Sequence, residues 1–97
     1  MDFGLTIESY NKIKQVIDKY SQYTFKVFGS RSRGDYKNNS DIDIAVMDNL
    51  NEKEKFNIRN DFDLLEILYM IDLVFIQEIT KVELLKSIER DGVLFYE

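Results

Sequence analysis

Two neighbouring segments constrain the fold of this chain more than any other part of the sequence: residues 28–34 (FGSRSRG) and residues 40–46 (SDIDIAV). The first is an apolar strand end that runs into a Gly-Ser turn and a basic stretch. The second alternates in polarity, which places Asp41 and Asp43 on one face of an extended strand and the isoleucines between them on the other. The two segments therefore predict two strands joined through a tight turn, with paired carboxylates on one face of a sheet.

The residue types in these segments suit phosphate and metal chemistry. Gly29 allows the chain to turn sharply and to approach a ligand closely. Ser30 offers a hydroxyl and a backbone N–H where a short helix would begin, which favours an anionic phosphate. Asp41 and Asp43, roughly 6.5–7 Å apart along the strand, can share divalent ions through their oxygens.

The combined pattern, GSRSRG followed by SDID, resembles the signature of the DNA polymerase β-like nucleotidyltransferase superfamily. Its arginine-rich form and the small size of the chain resemble the minimal nucleotidyltransferases of bacteria and archaea. The resemblance covers nearly the whole chain, residues 1–97, read as a single domain. It implies an α/β (α+β) fold, with a mixed β-sheet flanked by helices.

The resemblance also implies three catalytic, metal-binding carboxylates: Asp41, Asp43 and Asp72. Asp72 lies inside the apolar run MIDLVF, where a carboxylate is costly unless it is paired or binds a metal. An exposed strand end is the alternative for this residue, because strand edges tolerate charges. The three acids would hold two Mg²⁺ ions, with Asp72 nearer the acceptor.

The remaining site residues implied by the resemblance belong to the turn and the basic stretch. Gly29 and Ser30 would hold the β- and γ-phosphates of ATP, and Arg31 or Arg33 would offset their charge. For each arginine, a solvated loop position is an equally good interpretation of the sequence.

In the resembling family, minimal nucleotidyltransferases act as antitoxins that transfer AMP from ATP onto a hydroxyl of a helical HEPN-type toxin. The resemblance implies the same activity and partner for this chain, in a hetero-complex or a homo-oligomer. Two alternatives remain open. One is an antitoxin that silences its partner by binding alone, and the other is an oligomeric nucleotidyltransferase that modifies a small molecule.

Composition excludes several other classes of function. The chain has 97 residues, a formal net charge of −5, no cysteine and no histidine. Disulfides, the usual zinc sites and Ser-His-Asp catalysis are therefore excluded, and the acidic balance disfavours stable binding to DNA or anionic membranes. Since no signal peptide or long apolar run is visible, we expect the chain in the cytoplasm.

Periodicity and turn signals predict the remaining elements. Thr6 is the expected cap of the first helix and Thr80 of the last, while Phe56 is expected on the apolar face of the middle helix. The predicted helices cover residues 6–20, 51–66 and 81–90, and the predicted strands cover 23–28, 41–47, 69–76 and a short terminal segment at 93–96.

Overall fold

The computed structural model describes residues 2–96, which form one mixed four-stranded sheet with helices on both faces. The strand order is β3-β2-β1-β4, in which β2 and β3 are parallel and the other pairs are antiparallel. This confirms the predicted mixed sheet flanked by helices. The elements are α1 (Ile7–Lys19), β1 (Phe25–Phe28), α2 (Ser30–Arg33), β2 (Ile42–Val46), α3 (Glu52–Asp63), β3 (Ile71–Phe75), a 3-10 turn (Ile76–Glu78), α4 (Val82–Asp91) and β4 (Val93–Leu94).

The larger hydrophobic core lies between one face of the sheet and helices α1 and α3. Ile42 and Ile44 of β2 are fully buried there, as the alternation of the sequence predicted. Burial of side chains of this size stabilises the fold by about 1.5–3 kcal/mol each. This face therefore carries most of the apolar burial and leaves the opposite face of β2 free for polar residues.

Helix α4 covers part of the opposite face through a smaller cluster. Ile88 of α4 packs with Phe28 and Ala45 of the sheet. Two of the predicted acids precede this cluster on their strands: Asp43 on β2 is half-buried and Asp72 on β3 is exposed. The sheet thus has one buried face and one face that is only partly covered.

The ends of the helices show where the sequence signals were correct and where they were not. Thr6 caps α1 as predicted, by accepting a hydrogen bond from the Ser9 N–H. The cap position of α4 is Lys81 rather than Thr80, and it makes no side-chain cap bond, so that prediction was wrong. Phe56 is 67% exposed rather than on the apolar face, because Ile58 and Phe62 take the buried side of α3.

Helix α3 begins with a capping box that the sequence analysis did not identify. The Asn51 side chain accepts from the Glu54 N–H, and the Glu54 side chain accepts from the Asn51 N–H. The helix ends at Asp63, earlier than predicted, and an irregular segment then leads to β3. In residues 2–96, every helix is too short or too polar to cross a bilayer.

Candidate functional site

The parallel pairing of β2 and β3 brings two of the predicted acids side by side. Asp43 is the register partner of Asp72 across this pair, and Phe28 at the end of β1 is the partner of Asp43 on the other side. Residues directly opposite each other on neighbouring strands lie about 5 Å apart and project from the same face. Asp41 lies just before β2, two residues before Asp43 and therefore on the same side of the strand.

The Gly-Ser turn lies directly against this pair. Gly29 has φ +75°, a conformation that favours glycine, and a Cβ at this position would lie 2.3 Å from Asp43 Oδ2. A side chain is thus excluded at position 29 both by the backbone and by the neighbouring carboxylate. The turn and the acids lie together at the end of the sheet where β1 ends and β2 and β3 begin.

Asp43 is the most perturbed acid of this site. Its pKa is raised to about 6, first by burial, then by the charges of Asp72 and Asp41 and by a hydrogen bond with Asp72. The positive charge of Arg33 acts in the opposite direction. The site therefore concentrates more negative charge than the protein itself neutralises, and crowding of this kind is typical of sites that bind a cation or do chemistry.

The three predicted acids do not form a closed, preformed metal site; they could bind a metal ion only as an open set of ligands. Within residues 2–96, no three acidic side chains are gathered as a ready metal cluster. The pair Asp43–Asp72 is in contact, while Asp41 and Asp72 are exposed. Carboxylate oxygens are the donors that Mg²⁺ prefers, so the donor set fits this ion. The assignment of the three acids as metal ligands stays a prediction.

Helix α2 begins immediately after Gly29 and consists of only four residues. The Gly29 carbonyl accepts from the N–H groups of Ser32 and Arg33, and Gly34 ends the helix in the left-handed conformation. Ser30 is its first residue, half-buried beside the turn. The first N–H groups of a helix have no partner within it, so the structure places the predicted phosphate-binding residues where such donors are available.

Arg31 is buried, which the sequence did not indicate. It is only 2% exposed, and its guanidinium lies over the rings of Tyr36 and Tyr69 at 4.8 and 4.6 Å. Its Nη1 donates to the Phe3 carbonyl at 3.0 Å, and its Nε and Nη2 donate to the Ser40 carbonyl at 3.1 and 3.0 Å. The structure thus gives Arg31 a packing role, and contact of this residue with phosphate remains a prediction.

Arg33 remains on the surface next to the acids. Its Nε donates to Asp35 at 3.2 Å and its Nη1 donates to Asp91 at 3.0 Å. These two carboxylates raise the pKa of Arg33. Its charge also lowers the pKa of Asp43, so Arg33 is the exposed arginine whose charge acts on the candidate site.

Three residues around the site were not assigned a functional role from the sequence. Tyr36 and Tyr69 flank Arg31, and Asp91 pairs with Arg33. The sequence signal for Asp91 was its place before Gly92 at a helix end, which indicated only a helix terminus. Its contact with residue 33 spans most of the chain and is created by the packing of α4 beside α2.

A separate cavity of about 380 Å³ lies farther along β3. Val74, Ile79 and Leu84 contribute apolar surface to it, and Arg59 and Lys81 contribute cationic groups. None of the three predicted acids lines this cavity. The candidate site is therefore the more open region at the acids and the Gly29 turn.

Solved structures with a similar fold include two toxin–antitoxin complexes. One is a toxin–antitoxin with AMP-PNP, at 27% identity and a TM-score of 0.61, covering 88% of this chain and 70% of that chain. The other is a mutant of the toxin–antitoxin MntA-HpeT, at 26% identity and a TM-score of 0.60, covering 87% and 68%.

A third complex supports the fold alone, because its identity is only 23%. It contains a tri-AMPylated Shewanella oneidensis HEPN toxin with its MNT antitoxin, matched with a TM-score of 0.54 over 88% of this chain and 66% of that chain. No curated protein matches the chain by sequence.

A family model described as Polymerase beta, Nucleotidyltransferase matches residues 11–97, which include the Gly29 turn and all three acids. The match agrees with the strand register that pairs Asp43 with Asp72 and with the toxin–antitoxin structures of similar fold. The resemblance found in the sequence is confirmed, and the chain belongs to the polymerase beta nucleotidyltransferase family.

Proposed function

We propose that this chain transfers AMP from ATP to a hydroxyl of a partner protein, and that it thereby neutralises a HEPN-type toxin as its antitoxin. The observation that carries the proposal is the contact of the Gly29 turn with Asp43, which is itself paired in register with Asp72. A turn that suits phosphate binding thus lies against paired carboxylates. The similarity to a toxin–antitoxin with AMP-PNP supports the choice of nucleotide and of partner class.

Nucleotidyl transfer requires that an acceptor hydroxyl attack the α-phosphorus in line while pyrophosphate leaves. A bond forms between the acceptor oxygen and the α-phosphorus, the bond between that phosphorus and its bridging oxygen breaks, and the hydroxyl proton is released. Asp41, Asp43 and Asp72 would hold two Mg²⁺ ions, which when bound neutralise phosphate charge and favour the ionised hydroxyl. The high negative charge around Asp43 fits this role.

The chain's own residues supply positioning. The Gly29 turn brings backbone close to the triphosphate because position 29 has no side chain, and Ser30 adds a hydroxyl and an N–H for the β- and γ-phosphates. Arg33, whose side chain is exposed, offsets the negative charge of the phosphates. Asp72, exposed on β3, lies on the side of the acids away from the turn, where it can take the acceptor proton.

The test is transfer of radiolabel from ATP to a HEPN-type toxin of the same source, or to protein in a lysate, in the presence of Mg²⁺. Parallel reactions use ATP labelled at the α-phosphate and at the γ-phosphate, and the Asp43→Asn variant is the control. We expect label from the α-phosphate only, with wild type only, and restored growth of cells that express the toxin.

Other outcomes would contradict parts of the proposal. Neutralisation by Asp43→Asn as strong as by wild type, with no label on any protein, would support silencing by binding alone. Transfer of AMP in the absence of any protein acceptor would support a small-molecule nucleotidyltransferase. Label from the γ-phosphate but not from the α-phosphate, present with wild type and absent with Asp43→Asn, would indicate phosphoryl transfer instead of nucleotidyl transfer.

A further inference from the structure

The end of helix α4 is attached to the short helix α2 through a single residue, Asp91. Its carboxylate accepts from Arg33 Nη1 at 3.0 Å, and its backbone carbonyl accepts a hydrogen bond from the Ser32 hydroxyl. Two of the four residues of α2 therefore contact Asp91. The side chain of Asp91 is only 7% exposed although its partners lie at the surface.

These contacts restrict the guanidinium of Arg33 from two sides. Asp35 binds Nε at 3.2 Å and Asp91 binds Nη1 at 3.0 Å, while the hydrogen bonds found in residues 2–96 leave Nη2 unused. An arginine side chain loses rotamer entropy when it is fixed, and a guanidinium that is already held loses less of it on binding an anion. The two carboxylates thus hold a guanidinium that keeps one donor group available and that belongs to α2, the helix that begins after Gly29.

We propose that Asp91 is a positioning residue that holds Arg33 for the β- and γ-phosphates of the nucleotide. This inference rests on the proposed function, because it assumes that the site takes a nucleoside triphosphate. Asp91 itself contacts no substrate and acts only through Arg33. Its contribution is therefore specific to ligands that carry phosphates beyond the first.

A neighbouring ion pair provides the matched control. Arg90 also binds the Asp91 carboxylate, through Nε at 3.0 Å and Nη2 at 3.1 Å, but its side chain is 69% exposed and adjacent to Asp91 in sequence. Removal of Arg90 takes one partner from Asp91 and leaves the contact with Arg33 in place. A general effect of charge near α4 would tighten phosphate binding in Asp91→Asn, which removes a negative charge, and weaken it in Arg90→Ala, which removes a positive one. A positioning effect instead weakens phosphate binding only when Asp91 is changed.

The experiment compares Asp91→Asn, Arg90→Ala and wild type in binding two probes with Mg²⁺: AMP, and α,β-methylene-ATP, which nucleotidyl transfer cannot cleave. We expect Asp91→Asn to weaken α,β-methylene-ATP about 5- to 10-fold with AMP unchanged, and Arg90→Ala to change neither. In transfer assays, the KM for ATP rises by a similar factor while kcat changes less than about 2-fold. Asp91→Glu, which keeps the charge, recovers part of the loss.

A double-mutant cycle with Arg33→Gln measures whether the two residues act together. We expect Asp91→Asn to have no further effect on α,β-methylene-ATP when Arg33→Gln is present. Additive losses, an equal loss of AMP binding, or unchanged or tighter α,β-methylene-ATP binding in Asp91→Asn would each overturn the inference. If Asp91→Asn does not fold, the cycle is repeated with Asp91→Ala, which also removes the carboxylate.

The wild-type reactions separate this inference from the proposed function. Wild type that binds no nucleotide and transfers no AMP contradicts the proposed function itself. Wild type that binds and transfers normally, alongside an Asp91→Asn variant indistinguishable from it, contradicts only the role of Asp91.

Discussion

At the scale of single residues, the behaviour of Asp43 is decided by its neighbours. The carboxylate is half-buried, Asp72 lies beside it on β3, and Asp41 is on the same side of β2. Each of these raises its pKa, which reaches about 6, against the opposing charge of Arg33. Such crowding is unfavourable for the folded chain without a cation, and it is the usual condition of a site whose ligand supplies the missing charge.

The first prediction concerns Asp43→Asn, which we expect to abolish transfer and to stabilise the metal-free protein. A raised pKa in the folded state contributes stability that is full below about pH 3.8 and is lost as the pH rises through about 6. Above about pH 7 the substitution should raise the free energy of unfolding by about 1 kcal/mol, after allowance for solvent screening. Urea unfolding in EDTA measures this gain.

The gain should shrink as the pH falls from about 7 towards about 4, because Asp43 is then protonated in the folded wild type as well. Glu89→Gln, which removes a negative charge from an exposed position outside the three acids, is the control. A variant that is less stable than wild type at neutral pH, or one that retains transfer, would contradict this account of Asp43.

At the scale of elements, α2 is a four-residue helix that cannot be stable by itself, since isolated helices shorter than about 12 residues are marginal in water. Arg31 attaches it to the N-terminal segment through the Phe3 carbonyl and to the segment before Asp41 through the Ser40 carbonyl. Asp91 attaches it to α4. The Gly29 turn thus has a fixed position because contacts from distant parts of the chain hold the helix that follows it.

The second prediction is that Arg31→Lys destabilises the protein by about 2–3 kcal/mol, because an ammonium cannot reproduce the planar stacking on Tyr36 and Tyr69 or bond several carbonyls at once. The denaturant midpoint should fall with the slope unchanged. The matched control is Arg33→Lys, a surface substitution in the same helix, which should leave the midpoint unchanged. Equal shifts for the two variants would contradict the buried role of Arg31.

At the scale of the whole molecule, the two faces of the sheet are covered to different extents. Helices α1 and α3 bury most of one face, whereas α4 covers the other only in part. Ala45 and Phe28 lie under α4 and next to Asp43. The covered region and the open region are therefore adjacent on the same face of the sheet. Metal binding at the open region should therefore stabilise the molecule as a whole.

The third prediction is that Mg²⁺ or Mn²⁺ raises the melting temperature of wild type by a few degrees, since a ligand that binds only the folded state stabilises it. The shift should be larger at about pH 7.5 than at about pH 5.5, because protons compete with the metal for Asp43, whose pKa is about 6. Scanning calorimetry measures both shifts. The same shift in Asp43→Asn would place the binding elsewhere.

Much of this molecule follows from local sequence. Alternation in residues 41–46 places the acids and the isoleucines on opposite faces because successive side chains of a strand point in opposite directions. The Gly29-Ser30 turn, the helix capped by Thr6 and the family itself are also recognisable from short motifs. These features depend on residues a few positions apart, so that a sequence pattern is enough to identify them.

Tertiary structure alone decided the rest, because the decisive contacts join residues far apart in sequence. Asp72 meets Asp43 only through the parallel register of β3 on β2, and Asp91 reaches Arg33 only because α4 packs beside α2. The two arginines of the motif look alike in sequence, yet Arg31 is buried between two tyrosines and Arg33 is exposed. The sequence determined which residues are available for chemistry, and the packing of distant segments decided which of them meet.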